Sequence, residues 1–254
     1  MKKTVYILPQ GRFPKPLRMA LVSDLHGGDP APVLRVLEEE KPDYILMPGD
    51  IFERLDGAED EEHENALALL RGAARIAPTF YSTGNHEDGG VRSWSPTWRI
   101  AVKKREYAEK DLDAIAQAGV TFLEDSFVLK DGLAFGGLCS GLINEGRAPK
   151  VEWLTEFCRV DAPRILLCHH PEYYEPYLRE LPIDLIVSGH AHGGQWRLFG
   201  RGVFAPGQGI FPKYTAGVVE DRFVISTGLK KSGKIPRIFN EPEIVIIQIK
   251  NEKQ

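Results

Sequence analysis

Six of the seven histidines fall into short polar clusters. His26 lies in DLHGG, His86 in GNHE, His169 and His170 in HHP, and His190 and His192 in GHAH. Only His63 stands apart, inside an acidic run. The same clusters hold Asp24, Asp50 and Asn85. Imidazole, carboxylate and carboxamide oxygen together form a hard-to-borderline ligand set. It suits Mn, Fe, Zn, Co or Ni better than an all-oxygen Mg site. In an extended strand the side chains at i and i+2 point the same way. Asp24 and His26 could thus reach one ion, and so could His190 and His192. A carboxylate can bridge two ions about 3.5–4 Å apart, and Asp50 at the Gly49 turn is placed for that. Such a pair clamps an in-line displacement at phosphorus and makes a bridging water acidic.

The elements that must position these clusters are short apolar runs. Leu17 to Ser23, Tyr44 to Met47, Phe80 to Thr83, Ile165 to Cys168 and Leu185 to Ser188 each run into one cluster. Each reads as a buried strand. Helical patterns lie over Ala31 to Lys41, Glu62 to Arg75, Val102 to Ala118 and Val151 to Arg159. Further strands are expected over Thr121 to Leu129, Leu133 to Leu138, Arg222 to Ser226 and Glu243 to Lys250. The alternation argues a layered α/β fold, in which ligands gather beyond the carboxyl ends of strands. No repeat or linker interrupts the chain, so residues 1–254 read as a single domain.

Composition sets the class. The chain has 254 residues, 32 Lys plus Arg against 36 Asp plus Glu, and 43% apolar residues. This is an ordinary globular composition and excludes a disordered, collagenous or disulfide-stapled chain. A net charge of −4 argues against a stable nucleic-acid complex. Cys139, Cys158 and Cys168 are odd in number and widely spaced, as reduced thiols would be. The apolar stretch after the N-terminal lysines is only Val5 to Leu8, too short for a signal peptide or a membrane span. A cytoplasmic protein is expected, with peripheral contact to a membrane left open.

The five motifs D-x-H, G-D, G-N-H-E, a histidine after an apolar strand, and G-x-H-x appear in this order over Asp24 to His192. In that order they resemble the calcineurin-like metallophosphoesterase superfamily. GHAHGGQ followed by PKYTAG and VISTGLKKSG resembles one bacterial branch with the GHxHGGQ motif. That branch holds cell-envelope phosphodiesterases and pyrophosphatases acting on UDP-diacylglucosamine-type lipid precursors. The resemblance implies a four-layer α/β/β/α sandwich of two mixed sheets flanked by helices. It implies one metal held by Asp24, His26 and His192, a second by Asn85, His169 and His190, and Asp50 bridging. His86 would stabilise phosphate charge or protonate the leaving oxygen. The implied activity is that of a dinuclear phosphoesterase, a phosphodiesterase first, using a bridging hydroxide. Its substrate would be a phosphate-ester or pyrophosphate small molecule, or a lipid-linked one.

Other readings stay open. GDIFER also resembles protein Ser/Thr phosphatases, where an arginine after G-D binds phosphate, and Arg54 falls there. GHAHGGQ does not fit that group. A nuclease and a non-catalytic scaffold of the same fold are the remaining alternatives. His170 could touch substrate. Residues 89–105 mix tryptophans and basic residues and could form a lid. The seven acids from Glu53 to Glu64 read as a loop and a solvated helix start. If they border the site, they favour singly charged diesters over polyphosphates. The turn-rich loop between Gln195 and Tyr214 follows His192 directly and is expected near the metals.

Overall fold

The computed structural model describes residues 1–88, 107–140, 149–205, 208–230 and 236–251. From the N-terminus run β1 (Lys2–Pro9), β2 (Leu17–Leu21), β3 (Tyr44–Met47), β4 (Thr79–Tyr81), β5 (Thr121–Phe122), β6 (Ser126–Lys130) and β7 (Leu133–Leu138). Then come β8 (Arg164–Cys168), β9 (Leu185–Ser188) and two small hairpins, β10 (Arg197–Leu198) with β11 (Arg201–Gly202) and β12 (Phe204–Ala205) with β13 (Gly209–Ile210). β14 (Gly217–Val219), β15 (Phe223–Ile225) and β16 (Glu243–Lys250) close the chain. One six-stranded sheet has the order β1-β16-β2-β3-β4-β5, the other β14-β15-β9-β8-β7-β6. Both are mixed. β2, β3, β4 and β5 run parallel, as do β7, β8, β9 and β15, while β16 against β2 and β6 against β7 are antiparallel.

Alternation along each strand sorts its side chains into layers. Met19 and Leu21 of β2 face the second sheet and share a core with Leu167 of β8 and Val187 of β9. Phe80 and Phe135 stack across this layer with centroids 3.7 Å apart. Ala20 and Val22 face the other way, onto α1 (Ala31–Glu40) and α2 (Glu61–Ile76). α3 (Glu109–Gln117) adds Ile115 to the same core. Beyond the second sheet, α4 (Leu154–Arg159) packs Leu154 and Phe157 on Leu166 and Ile186. The result is the expected four-layer α/β/β/α sandwich. Strands buried on both faces need apolar residues at every position, which is why they read as unbroken runs. α2 shows how local chemistry starts a helix. Asp60 accepts the His63 N–H at 2.9 Å, and Glu61, Glu62 and Glu64 sit in the first turn, where the dipole favours them.

Three elements differ from expectation. Lys2–Pro9 is an edge strand, because β16 from the far end of the chain pairs with it in parallel. The run from Thr121 to Leu129 is two strands in two different sheets, broken at Asp125. Asp125 has φ +45° and its carboxylate accepts the Cys139 N–H at 2.9 Å. The helix expected over Val102 to Ala118 runs from Glu109 to Gln117, and residues 102–106 lie outside the described residues. So does the 89–105 segment read as a lid.

Candidate metal centre

β2, β3, β4, β8 and β9 all deliver their carboxyl ends to one mouth between the sheets. The chain does not leave these strands extended. Asp24, His26, Asp50, His190 and His192 have φ of +56°, +50°, +52°, +64° and +45°. A non-glycine residue in this left-handed region costs about 1–2 kcal/mol, so the surroundings must hold it. Backbone bonds from strand end to strand end do so. Asp24 N–H donates to Gly49 O at 3.1 Å, and His26 N–H to Asp50 O at 3.0 Å. Asp24 Oδ1 accepts the His190 N–H at 2.9 Å, and Asp50 Oδ1 accepts the His86 N–H at 3.0 Å. Gly84 lies so close that a Cβ there would run into Asp50 Oδ1. This geometry corrects the pleat argument. His26, His190 and His192 each sit in the left-handed region, and His190 and His192 enter different groups.

Two of these groups hold the sequence-predicted ligands. Asp24, His26 and His192 offer donor atoms within 4.8 Å of one another, and Asp50, His169 and His190 do the same. Asp50 Oδ2 touches both, 3.1 Å from His169 Nε2 and 3.6 Å from His26 Nε2. Asn85, which precedes His86 in the chain, has its Oδ1 buried. That oxygen, Asp24 Oδ2, His26 Nε2, both nitrogens of His169 and His190 Nε2 are buried without a hydrogen-bond partner. Each such atom costs about 1–3 kcal/mol unless something satisfies it. Their concentration in one mouth, and their N/O chemistry, fit a borderline transition metal.

The charges around the mouth are strongly shifted. Burial, opposed by the bond to Glu53, brings His26 down to about 4. Burial and the Arg237 guanidinium bring His192 down to about 3. Both are therefore neutral at pH 7. Burial works against charge on His86 and His169, but the Asp50 carboxylate raises each to about 9. Burial would raise Asp50, yet His169, His86 and His26 together hold it well below the carboxylate range.

Sequence reasoning missed several supports. Glu53 belongs to the acidic run, but it is not simply solvated. Its carboxylate meets His26 Nδ1 at 2.9 Å, His86 Nδ1 at 3.2 Å and Lys230 Nζ at 3.2 Å. Those histidines hold it far below the carboxylate range, against its partial burial. Glu87 is the last letter of GNHE and carried no assigned role. It is buried and accepts N–H bonds from Asp50, Ile51, Phe52 and Gly84 and the Tyr81 hydroxyl, at 2.7 to 3.0 Å. It therefore fixes the turn that presents Asp50. Glu172 lies 3.3 Å from His170 Nδ1 and 3.7 Å from His190 Nε2, and these three form a further group behind the mouth. The acid that follows HHP was the available signal for it.

The remaining sequence candidates fall as follows. His170 is buried, with Nε2 2.5 Å from Ser140 Oγ and its ring centroid 4.2 Å from that of His190. Arg54 turns towards the acidic loop and meets Asp56 at 3.2 Å and Asp60 at 2.6 Å. His63 packs on Phe52, 3.5 Å from Asp111. The loop after His192 does hang from the mouth, since Asn240 Nδ2 donates to His192 O at 2.6 Å and Gln195 O at 3.1 Å.

Comparison with known proteins adds a family frame. A model of the calcineurin-like phosphoesterase family matches residues 17–194. The Escherichia coli phosphodiesterase YaeI is 26% identical over 246 residues, covering 92% of this chain and 82% of its own. A zebrafish transmembrane protein with a metallophosphoesterase domain is 26% identical over 203 residues; this chain spans 41% of its length. A solved E. coli phosphoesterase, Yfce, shares 13% identity at a TM-score of 0.41, over 86% of this chain and 84% of that one.

Proposed function

Because the chain belongs to the calcineurin-like phosphoesterase family, we propose that it hydrolyses phosphoric esters with two metal ions and prefers diesters. One observation carries the two-ion reading: Asp50 Oδ2 lies between His169 and His26, one histidine from each group. Asp24, His26 and His192 would hold one ion, and Asn85, His169 and His190 the other, with Asp50 between them. Mn, Fe, Zn, Co and Ni suit this donor set. When bound, such ions supply Lewis-acid polarisation of the phosphate oxygens and a water acidic enough to attack phosphorus in line.

The chain's own groups supply the rest. Glu87 and the cross-strand backbone bonds hold Asp50 in its left-handed turn, so no reorganisation is needed when substrate arrives. His86 is cationic below about pH 9, and its Nδ1 faces Glu53. Its Nε2 is therefore the nitrogen left to give a proton to a departing ester oxygen. Glu53 places a carboxylate at the mouth beside His86. A fixed anion there repels a doubly charged monoester more than a singly charged diester. The name of YaeI, a phosphodiesterase, supports the same preference. Arg54 is engaged by Asp56 and Asp60, which counts against its use as a phosphate clamp and against a protein-phosphatase reading.

We read residues 1–254 as one metallophosphoesterase domain, a reading supported by the pairing of β1 with β16 across the ends of the chain. Substrates in view are small or lipid-linked phosphodiesters and pyrophosphates. No described helix is long and apolar enough to cross a membrane. The test is hydrolysis of a chromogenic monoester and diester by metal-stripped protein, then with Mn, Fe, Co, Ni or Zn restored. Metal-dependent cleavage favouring the diester is expected. A monoester preference would overturn the diesterase assignment, and metal-loaded protein inert on both would move the reading to a scaffold.

A further inference from the structure

Eight of the twelve large hydrophobic side chains that stand exposed among the described residues come from 196–211 and 238–239. Leu198, Phe199, Ile210, Phe211 and Phe239 are each more than half exposed, and Phe199 at 103% projects fully from the β10–β11 turn. These side chains are not scattered, because their backbones are tied together. Phe204 pairs with Ile210, Phe211 N–H donates to Val203 O at 2.9 Å, and Val203 N–H donates to Trp196 O at 2.8 Å. Arg197 N–H donates to Ile238 O at 3.0 Å, which joins the second segment to the first. A concentration of exposed apolar groups on this scale marks an interaction site.

Charge tells which partner fits. Residues 195–219 contain Arg197, Arg201 and Lys213 and no Asp or Glu, in a chain whose net charge is −4. Arg201 is exposed beside the Phe199 turn, and Lys213 is shared with Glu175 on the flank. A second copy of this surface would bring arginine against arginine, and the flanking acid, Glu175, is already engaged by Lys213, Tyr214 and Arg179. An anionic bilayer supplies both parts: headgroup charge for the cations and an acyl boundary for projecting aromatic and aliphatic tips. We propose that the hairpins β10–β13, with Ile238 and Phe239, dock this protein on an anionic lipid surface. Asn240 ties the same loop to the backbone of His192. Docking therefore brings the mouth of the metal centre up to the lipid headgroups.

Co-sedimentation tests this with the full chain and vesicles of phosphatidylcholine, with and without about 30% phosphatidylglycerol. Binding to the anionic vesicles, weakened by salt, is expected, together with a blue shift of Trp196 fluorescence that is missing in Trp196→Phe. The double variant Phe199→Ser/Phe211→Ser should lower the partition coefficient by about tenfold or more. Arg201→Glu should lower it less. Both variants alter only exposed side chains, so turnover of a water-soluble ester should not change, which shows that the fold is intact. No binding at low salt, equal binding to pure phosphatidylcholine, or a dimer abolished by the double variant would overturn the proposal. Binding does not pass through catalysis, so its failure leaves the hydrolase reading standing.

Discussion

Asp24, His26 and His192 are backed by charged, partly exposed side chains, whereas Asp50, His169 and His190 are backed by buried ones. The neighbours of the first group are charged and partly in water. Glu53 and Lys230 have side chains about one third exposed, and Arg237 lies 3.3 Å from His192 Nδ1. Behind the second group stand His170, with no exposed side chain, and the nearly buried Glu172. The difference teaches how one mouth can serve two needs. A dry, closely held group keeps its donors in place, while a group fringed by partly exposed charge can meet a solvated phosphate. Asp50 belongs to the dry side but reaches across to His26.

Asp50→Asn should therefore break both sides at once. Turnover is expected to fall on the order of 10³-fold, and elemental analysis should find both metals depleted. Wild-type turnover with full metal content would end the bridging assignment. The two sides come apart in single-ligand variants. His26→Ala and His190→Ala should each lose one metal and retain the other, with at least about 100-fold weaker binding at the damaged group. If either variant released both ions on dialysis, the groups would be one cooperative site instead of two.

A smaller effect is expected at His86, which belongs to neither triad. His86→Asn should lower kcat by about 10²–10³-fold with metal content unchanged. Its pKa is raised to about 9, so the imidazolium is present below that pH and is lost as pH rises through it. The wild-type kcat should fall along that alkaline limb, and the limb should be absent from the variant. An unaltered pH profile would remove His86 from proton transfer. The smallest change is expected at Arg54→Ala. An exposed ion pair is worth about 0–1 kcal/mol, so stability should shift little and KM not at all. A raised KM would show that Arg54 leaves Asp56 and Asp60 to hold substrate.

Much of the centre was legible in residue order, because a metal site needs particular donor atoms and few residue types carry them. Asp50 could be placed from its own cluster, whereas His169 was separable from His170 only through the resemblance, which puts the ligand two residues before a proline, here Pro171. Glu53 and Arg54 were not separable in this way. They are adjacent in the chain, yet Glu53 turns inward to His26, His86 and Lys230 while Arg54 turns outward to Asp56 and Asp60. Lys230 lies far away in sequence, and no local pattern announces it. Glu87 was hidden for a different reason. Its carboxylate organises backbone N–H groups, and backbone groups have no sequence signature.

The strands divide similarly. β3 and β9 were readable because burial on both faces demands unbroken apolar runs. β1 was not, since most of its side chains are exposed or half-buried and it exists through pairing with β16. By itself the sequence determined the donor chemistry, the layered α/β class and the strand ends at which the ligands stand, because these follow from residue type and periodicity. Only the tertiary structure decided how each ligand is aimed, through left-handed turns in place of the pleat that would send His190 and His192 to one ion, that Glu53 and Glu87 turn inward, and that the loop after His192 carries most of its aromatic side chains into solvent. Those outcomes rest on left-handed backbone turns held by bonds between strand ends distant in the chain.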